Sequence, residues 1–221
     1  MKIIAVAGSS GSGKTRLIES LVVEFKKRNS RLAVVKHCPH GFDVDDKGKD
    51  SQKYMRAGAV AAALVGPRGR MVIRRGTRTP DLLQAASDFF PEADLVLVEG
   101  GSLAPGLKKI EVLRAGVSAK TVGPAEDVVA YISERRFKAG KPVFRPGDTT
   151  RIADLIEREA GVIGPQVRLA VDGRDVPLEG FARNIVRNVL LSLVLSLHGV
   201  GRHPRRISLA WKRKGHLTQD A

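Results

Sequence analysis

Cysteine occurs once in the 221-residue chain, as Cys38, which excludes an internal disulfide framework and suits a reducing cytosol. Aromatic residues make up only 5% and are not interleaved with the basic ones, so no base-stacking platform is visible and nucleic acid is not an expected partner. No apolar run approaches the roughly 20 residues that span a bilayer. The longest, Val189 to Leu197, belongs to a soluble protein, and the short apolar stretch after Met1-Lys2 does not read as a signal peptide. Internal repeats and low-complexity segments are absent. Acidic residues are outnumbered 23 to 38, giving a formal charge of +15. That balance favours polyanionic partners such as nucleotides and phosphorylated cofactors. These features together predict a soluble cytoplasmic protein of ordinary globular composition.

What is present is concentrated near the N-terminus. Gly8-Ser9-Ser10-Gly11-Ser12-Gly13-Lys14-Thr15 is a complete G-x-x-x-x-G-K-T phosphate-binding loop. The apolar run Lys2 to Ala7 precedes it as a strand, and a helical pattern (Leu17, Ile18, Leu21, Val22, Phe25) follows. Glycines let the backbone N–H groups of Ser10 to Thr15 curl around a phosphate, and the helix N-terminus adds partial positive charge. Ser10, Gly11, Ser12, Gly13, Lys14, Thr15 and Arg16 are the expected nucleotide-binding residues, with Lys14 on the phosphates and the Thr15 hydroxyl on Mg²⁺. Asp94-Leu95-Val96-Leu97-Val98-Glu99-Gly100 is a second piece of this machinery, because an apolar strand delivers Glu99 at its carboxyl end, where ligands sit in open α/β sheets. Lys14 and Glu99 are the candidate catalytic residues. Thr15, Glu99, Asp45 and Asp50 are the candidate metal ligands.

The alternation of strands and helices predicts a P-loop NTPase-type α/β fold with a mostly parallel sheet flanked by helices over residues 1–162. Strand candidates are Leu32–Lys36, Ala59–Val65, Met71–Ile73, Leu95–Val98, Ile110–Leu113 and Val128–Tyr131, and Pro80–Phe90 and Thr149–Ala160 read as helices. From His37 to Arg56 a long polar loop is expected. It carries His37, Cys38 and His40, lysines including Lys49, and the carboxylates Asp43, Asp45, Asp46 and Asp50. His37, Cys38 and His40 also admit a zinc or nickel reading, although their spacing is not a standard zinc pattern. Arg68, Arg70, Arg74, Arg75 and Arg78 form a basic cluster that reads equally well as solvated. Residues 166–213 form a small C-terminal β-β-α-β module: a hairpin turning at Asp172-Gly173, a long helix from Glu179 to His198, and a closing strand at Arg206–Trp211. The helix places Phe181, Ile185, Val189, Leu193 and Leu197 four residues apart, and another chain is expected to cover that face.

Taken in order, the phosphate loop, Val35-Lys36-His37, Asp43-Val44-Asp45, Gly48-Lys49-Asp50-Ser51, Ala57-Gly58-Ala59, Leu97-Val98-Glu99-Gly100 and Lys109-Ile110-Glu111-Val112 resemble the MobB family, the molybdopterin-guanine dinucleotide biosynthesis proteins B. The resemblance spans about residues 1–160. It implies a homodimer that binds and weakly hydrolyses GTP with Mg²⁺. It further implies an adapter acting beside a MobA-like guanylyltransferase, with molybdopterin or the finished molybdenum cofactor as cargo and an apo-molybdoenzyme as recipient. Guanine comes from the resemblance alone, since no Asn-Lys-x-Asp segment is present. Two departures stand out: Pro39-His40 replaces a paired histidine, and Glu99-Gly100-Gly101-Ser102 lacks the family's Phe-Lys, for which Lys108 or Lys109 are candidate substitutes. Two other readings fit the same loop, a P-loop small-molecule kinase and a nucleotide-dependent metal chaperone.

Overall fold

The computed structural model of the protein describes residues 1–42, 50–76, 81–117, 121–135, 137, 139–163, 167, 169–171, 174–176, 178–201, 207 and 209. The chain divides into two compact units, Met1–Ile163 and Gly164–Ala221.

The first unit is built on β1 (Lys2–Ala7), of which Ile3 to Ala7 are all buried. Near-continuous apolar character of this kind marks a strand covered on both faces. β2 (Leu32–Lys36) and β5 (Leu95–Glu99) lie to one side of it, β6 (Lys109–Leu113), β7 (Val128–Ser133) and β8 (Val143–Phe144) to the other, giving the order β2-β5-β1-β6-β7-β8 with every pair parallel. β9 (Gly161–Val162) completes the seven-stranded sheet, antiparallel against Lys2 and Ile3, on the stretch of β1 that the short β6 leaves unpaired. α1 (Lys14–Lys27) and α4 (Thr149–Glu159) cover one face through Leu17, Leu21, Phe25, Ile152 and Ile156, packed on Ile4, Val6, Leu97 and Ile110. α3 (Leu82–Phe89) covers part of the other, where Ala86 packs with Ile3, Ala5, Val96 and Val98.

Local chemistry sets the ends of these elements. Asn29 takes φ +54, and the bonds Asn29 N–H to Lys26 O and Ser30 N–H to Phe25 O close α1 in a Schellman motif. Asp81 caps α3 by accepting from the Leu83 amide at 2.9 Å. Asp94 precedes β5. It takes both the side chain and the backbone N–H of Arg31, tying the starts of β2 and β5 together.

Three sequence expectations change. The apolar runs around Ala59–Val65 and Met71–Ile73 do not enter the parallel sheet. They form a separate antiparallel hairpin, β3 (Ala61–Gly66) with β4 (Gly69–Arg74), because Pro67 and Arg68 between two glycines leave room only for a tight reversal. The end of the long polar loop is helical, as α2 (Asp50–Arg56). β8 and β9, two residues each, are too short to leave a periodic signal.

In the second unit, β10 (Leu169–Val171) and β11 (Arg174–Val176) form an antiparallel hairpin, and α5 runs from Gly180 to Leu195. The closing strand expected at Arg206–Trp211 lies outside the described residues, apart from Ile207 and Leu209. No helix among the described residues is long and apolar enough to cross a membrane.

Candidate functional site

The turn between β1 and α1 is made by glycines in conformations that other residues rarely adopt: Gly8 at φ +140, Gly11 at φ +73 and Gly13, the N-cap of α1, at φ +101. At Gly8 the requirement is spatial as well. A Cβ there would lie 2.5 Å from the Val112 carbonyl oxygen and 2.8 Å from Ser12 Oγ. The loop is therefore pressed against the carboxyl end of β6. Lys14 folds back over the loop, its Nζ donating to the carbonyls of Gly8 at 2.9 Å and Ser9 at 2.7 Å. The ammonium is thus held at the rim of the turn that the amides curl around. By helix geometry the first amides of α1 have no intrahelical acceptor, so they and the lysine present positive charge to one place.

The opposite wall comes from β5. Glu99 ends that strand between Val6 of β1 and Lys36 of β2, so three parallel strands deliver their carboxyl ends side by side. Thr15 Oγ1 donates to Glu99 Oε1 at 3.1 Å, and Lys36 Nζ stands 3.8 Å from the same oxygen. The chain then turns away through Gly100 and Gly101, at φ +93 and +65, with the Gly100 amide bonded to Val6 O and the His37 amide to Glu99 O.

These donors fit a magnesium-bound nucleotide. A glycine cradle that a Cβ at Gly8 would fill, a buried Ser12 Oγ without a partner among the described residues, and an alcohol–carboxylate pair at the helix start are what a phosphate and its metal use. Ser10, Gly11 and Arg16 lie in the same loop and first turn, and Arg16 is exposed. Asp50 opens α2, three-quarters exposed, with its carboxylate accepting from Lys53 at 3.1 Å. Asp45 and Lys49 lie outside the described residues. His37, Cys38 and His40 do not converge: the Gly41 amide bonds Cys38 O in a turn, and among the described residues no three His, Cys, Asp or Glu side chains gather as a metal would need.

The lysine substitutes proposed for the missing Phe-Lys are also corrected. Lys108 pairs with Glu159, and Lys109 is fully buried, bonded to Ser102 O at 2.8 Å and 3.4 Å from Asp127. At Gly101 a Cβ would meet Leu82 at 3.1 Å in a left-handed backbone, so this chain has no room for an aromatic side chain there.

Sequence reasoning missed the contribution of β6. Arg114 donates to Gly11 O at 3.3 Å, and Glu111 is buried with Oε1 accepting from the Val122 amide and Oε2 without a partner among the described residues. Burial pushes the Glu111 carboxyl above its ordinary range, against the pull of the Val122 amide and the Lys109 charge. The signal was available, because Lys-x-Glu inside an apolar strand puts two charges on one face.

Comparison with known proteins bears on the same region. A family model described as molybdopterin guanine dinucleotide synthesis protein B matches residues 3–134. The molybdopterin-guanine dinucleotide biosynthesis adapter protein of Escherichia coli is 36% identical over 162 residues, covering 70% of this chain and 90% of that one. A putative adapter protein of the same name from Methanocaldococcus jannaschii is 25% identical over 235 residues, covering 95% of this chain and 97% of that one. The crystal structure of Bacillus subtilis MobB superposes with a TM-score of 0.57 at 28% identity, over 73% of this chain and 99% of that one.

Proposed function

Since the chain belongs to the molybdopterin guanine dinucleotide synthesis protein B family, we propose that it is an adapter of molybdopterin-guanine dinucleotide biosynthesis that binds GTP with Mg²⁺. The observation that carries the nucleotide half of this reading is the Thr15–Glu99 hydrogen bond at the mouth of the glycine loop. It joins the helix that faces phosphate to the strand end that faces metal.

In the proposal Lys14 exchanges the Gly8 and Ser9 carbonyls for phosphate oxygens, and the loop amides fix the phosphate chain. Thr15 and Glu99 hold Mg²⁺, which neutralises phosphate charge when bound. Glu99 would alternatively orient an attacking water; weak hydrolysis, secondary to delivery, is what the family resemblance implies. The protein works in the cytoplasm as a homodimer beside a MobA-like guanylyltransferase. It presents nucleotide, molybdopterin or finished cofactor, with an apo-molybdoenzyme downstream. The family resemblance supports these partners and the choice of guanine.

Calorimetric titration with GTP and with ATP, each with Mg²⁺, tests the reading. Preference for GTP is expected, and preference for ATP with rapid phosphorylation of a small acceptor would replace it with a kinase. Lys14→Ala removes a charge-assisted contact worth roughly 1.5–3 kcal/mol, or about 10- to 150-fold in affinity. Unchanged affinity in a folded variant would refute the site.

A further inference from the structure

β6 ends at Leu113 and the chain reverses at once. The Val117 amide bonds Arg114 O at 3.1 Å, and Gly116, third in the turn, takes φ +78. This turn stands against the phosphate loop. Arg114 Nη1 donates to Gly11 O at 3.3 Å, and a Cβ built on Gly11 would meet Val117 Cγ1 at 3.8 Å. Further along, the connection is tied back to the sheet where the Val122 amide bonds the buried Glu111 carboxylate. A cation is therefore set beside the loop by the end of a core strand.

Packing does not call for arginine at this position. Ile110 and Val112 face α1 and are buried with Leu17 and Leu21, and strand alternation sends position 114 to the same side. Arg114 is nevertheless exposed. On that side lies the start of α1, with its orphan amides, and Lys14, whose Nζ rests on the carbonyls of Gly8 and Ser9. Arg114 makes the same kind of contact with a third carbonyl of the same loop. Two cations on one short loop beside a helix N-terminus repel one another, and neutral carbonyls offset little of that repulsion. At 3.3 Å the arginine bond is longer than ordinary N–H···O bonds and well beyond the length of charge-assisted ones. A polyphosphate relieves the crowding. Its oxygens hold a guanidinium more strongly than a peptide carbonyl does, through two parallel N–H donors.

We propose that Arg114 is a phosphate-binding residue of the nucleotide site, whose guanidinium leaves Gly11 O for an oxygen of the bound phosphate chain, as Lys14 leaves Gly8 and Ser9. This rests on the nucleotide reading above and adds to it a cation from 103 positions beyond Gly11.

The test titrates the full chain with GTP, ATP and inorganic tripolyphosphate, each with Mg²⁺, at low and at high KCl. Arg114→Gln keeps a side-chain N–H and removes the charge and the fork. At low salt it is expected to bind GTP and tripolyphosphate about tenfold or more weakly, with the melting temperature of the parent. The difference from the parent should shrink at high KCl, which screens an exposed cation. Arg114→Lys restores charge without the fork and should recover part of the affinity. Unchanged binding of tripolyphosphate by Arg114→Gln overturns the proposal. If GTP alone is weakened, the guanidinium meets the base instead. A loss of equal size at both salt concentrations also overturns it, because the side chain then acts only by holding Gly11. The same titrations separate this claim from the guanine reading. Preference for ATP, with all three ligands weakened by Arg114→Gln, sinks that reading and leaves Arg114 in place. Tripolyphosphate binding lost in Lys14→Ala but kept in Arg114→Gln leaves the glycine loop and removes Arg114 from it. A parent chain that binds none of the three overturns both.

Discussion

Replacing Gly8 with alanine tests the fit of the phosphate loop against the sheet without removing any functional group. Two costs are superimposed at this position. The backbone φ of +140 is one that L side chains rarely adopt, which costs about 1–3 kcal/mol. The added methyl would also stand 2.5 Å from the Val112 carbonyl oxygen. That oxygen belongs to β6, where Val112 is in register with Ile132 of β7, and cannot move without disturbing the sheet, whereas Ser12 Oγ at 2.8 Å can rotate away. Gly13 supplies the control, since it has φ +101 and a methyl added there would meet nothing within 4 Å, so Gly13→Ala carries the backbone cost without the collision. The collision adds an overpacking penalty of about 1–3 kcal/mol. Gly13→Ala should therefore lose about 1–3 kcal/mol and Gly8→Ala about 2–6. For a unit of this size the difference between them lowers the melting temperature by roughly 2–12 °C. Urea unfolding and thermal melts of both variants measure it. GTP titration should show the larger loss in Gly8→Ala, whose loop must lift off β6. If Gly8→Ala is no less stable than Gly13→Ala, the loop does not press on Val112 and the reasoning fails.

Glu99→Gln should keep the Thr15 hydrogen bond but remove the carboxylate charge, so the Mg²⁺ dependence of GTP binding should fall while nucleotide affinity without Mg²⁺ changes little; equal Mg²⁺ dependence in both proteins would discard Glu99 as a ligand. Phe25 is 1% exposed in the core beneath α1, and Phe25→Ala should cost about 3–5 kcal/mol in chemical denaturation. The Glu111 carboxyl sits above its ordinary range in the folded chain, so the native state holds that proton more tightly than the unfolded one. Its contribution to stability should fall as pH rises from the ordinary carboxylate range through the folded value, and Glu111→Gln should flatten that slope in pH-dependent melts. Asp94 has the opposite sign. Its bonds to Arg31 hold the carboxyl below its ordinary range, so the stability it contributes is present above that range and is lost as pH falls through the folded value, a slope Asp94→Asn should remove.

The parts of the site that sequence shows are those written in one segment. The glycine loop announces itself because its conformation needs glycine at fixed offsets and its flanks change period from strand to helix. Glu99 is visible for a similar reason, as a charge ending a wholly apolar strand. What sequence does not show is which segments become neighbours. Nothing in residues 95–99 says that β5 will insert between β1 and β2, yet that insertion brings Glu99 to Thr15, 84 positions earlier. The β3–β4 hairpin misled for a related reason. Its apolar runs resemble sheet strands, and only the short Pro67-Arg68 connection indicates a local partner. For Asp50, sequence distance from the phosphates does not show that the segment becomes helical or that Lys53 bonds its carboxylate.

The charges inside β6 follow from the topology in the same physical terms. Ile110 and Val112 point to the face that α1 and α4 cover, and they are apolar like their neighbours. Lys109 and Glu111 point the other way, and there the described part of the 114–127 connection contains no helix. A helix satisfies its own backbone and can present an apolar face to a sheet. A loop cannot, because its amides and carbonyls must be met by whatever it covers. Lys109 meets Ser102 O, and Glu111 meets the Val122 amide. The polar strand is therefore the counterpart of a loop roof, and that roof leads through Arg114 to Gly11 of the phosphate loop. An apolar replacement of Lys109 and Glu111 would leave those backbone groups and the Asp127 carboxylate unpaired, so the gain that removing buried charges can bring should not appear here. The double variant Lys109→Met, Glu111→Leu should be less stable than the parent in urea, and a parent-like or higher midpoint would show that the roof does not depend on the strand beneath it.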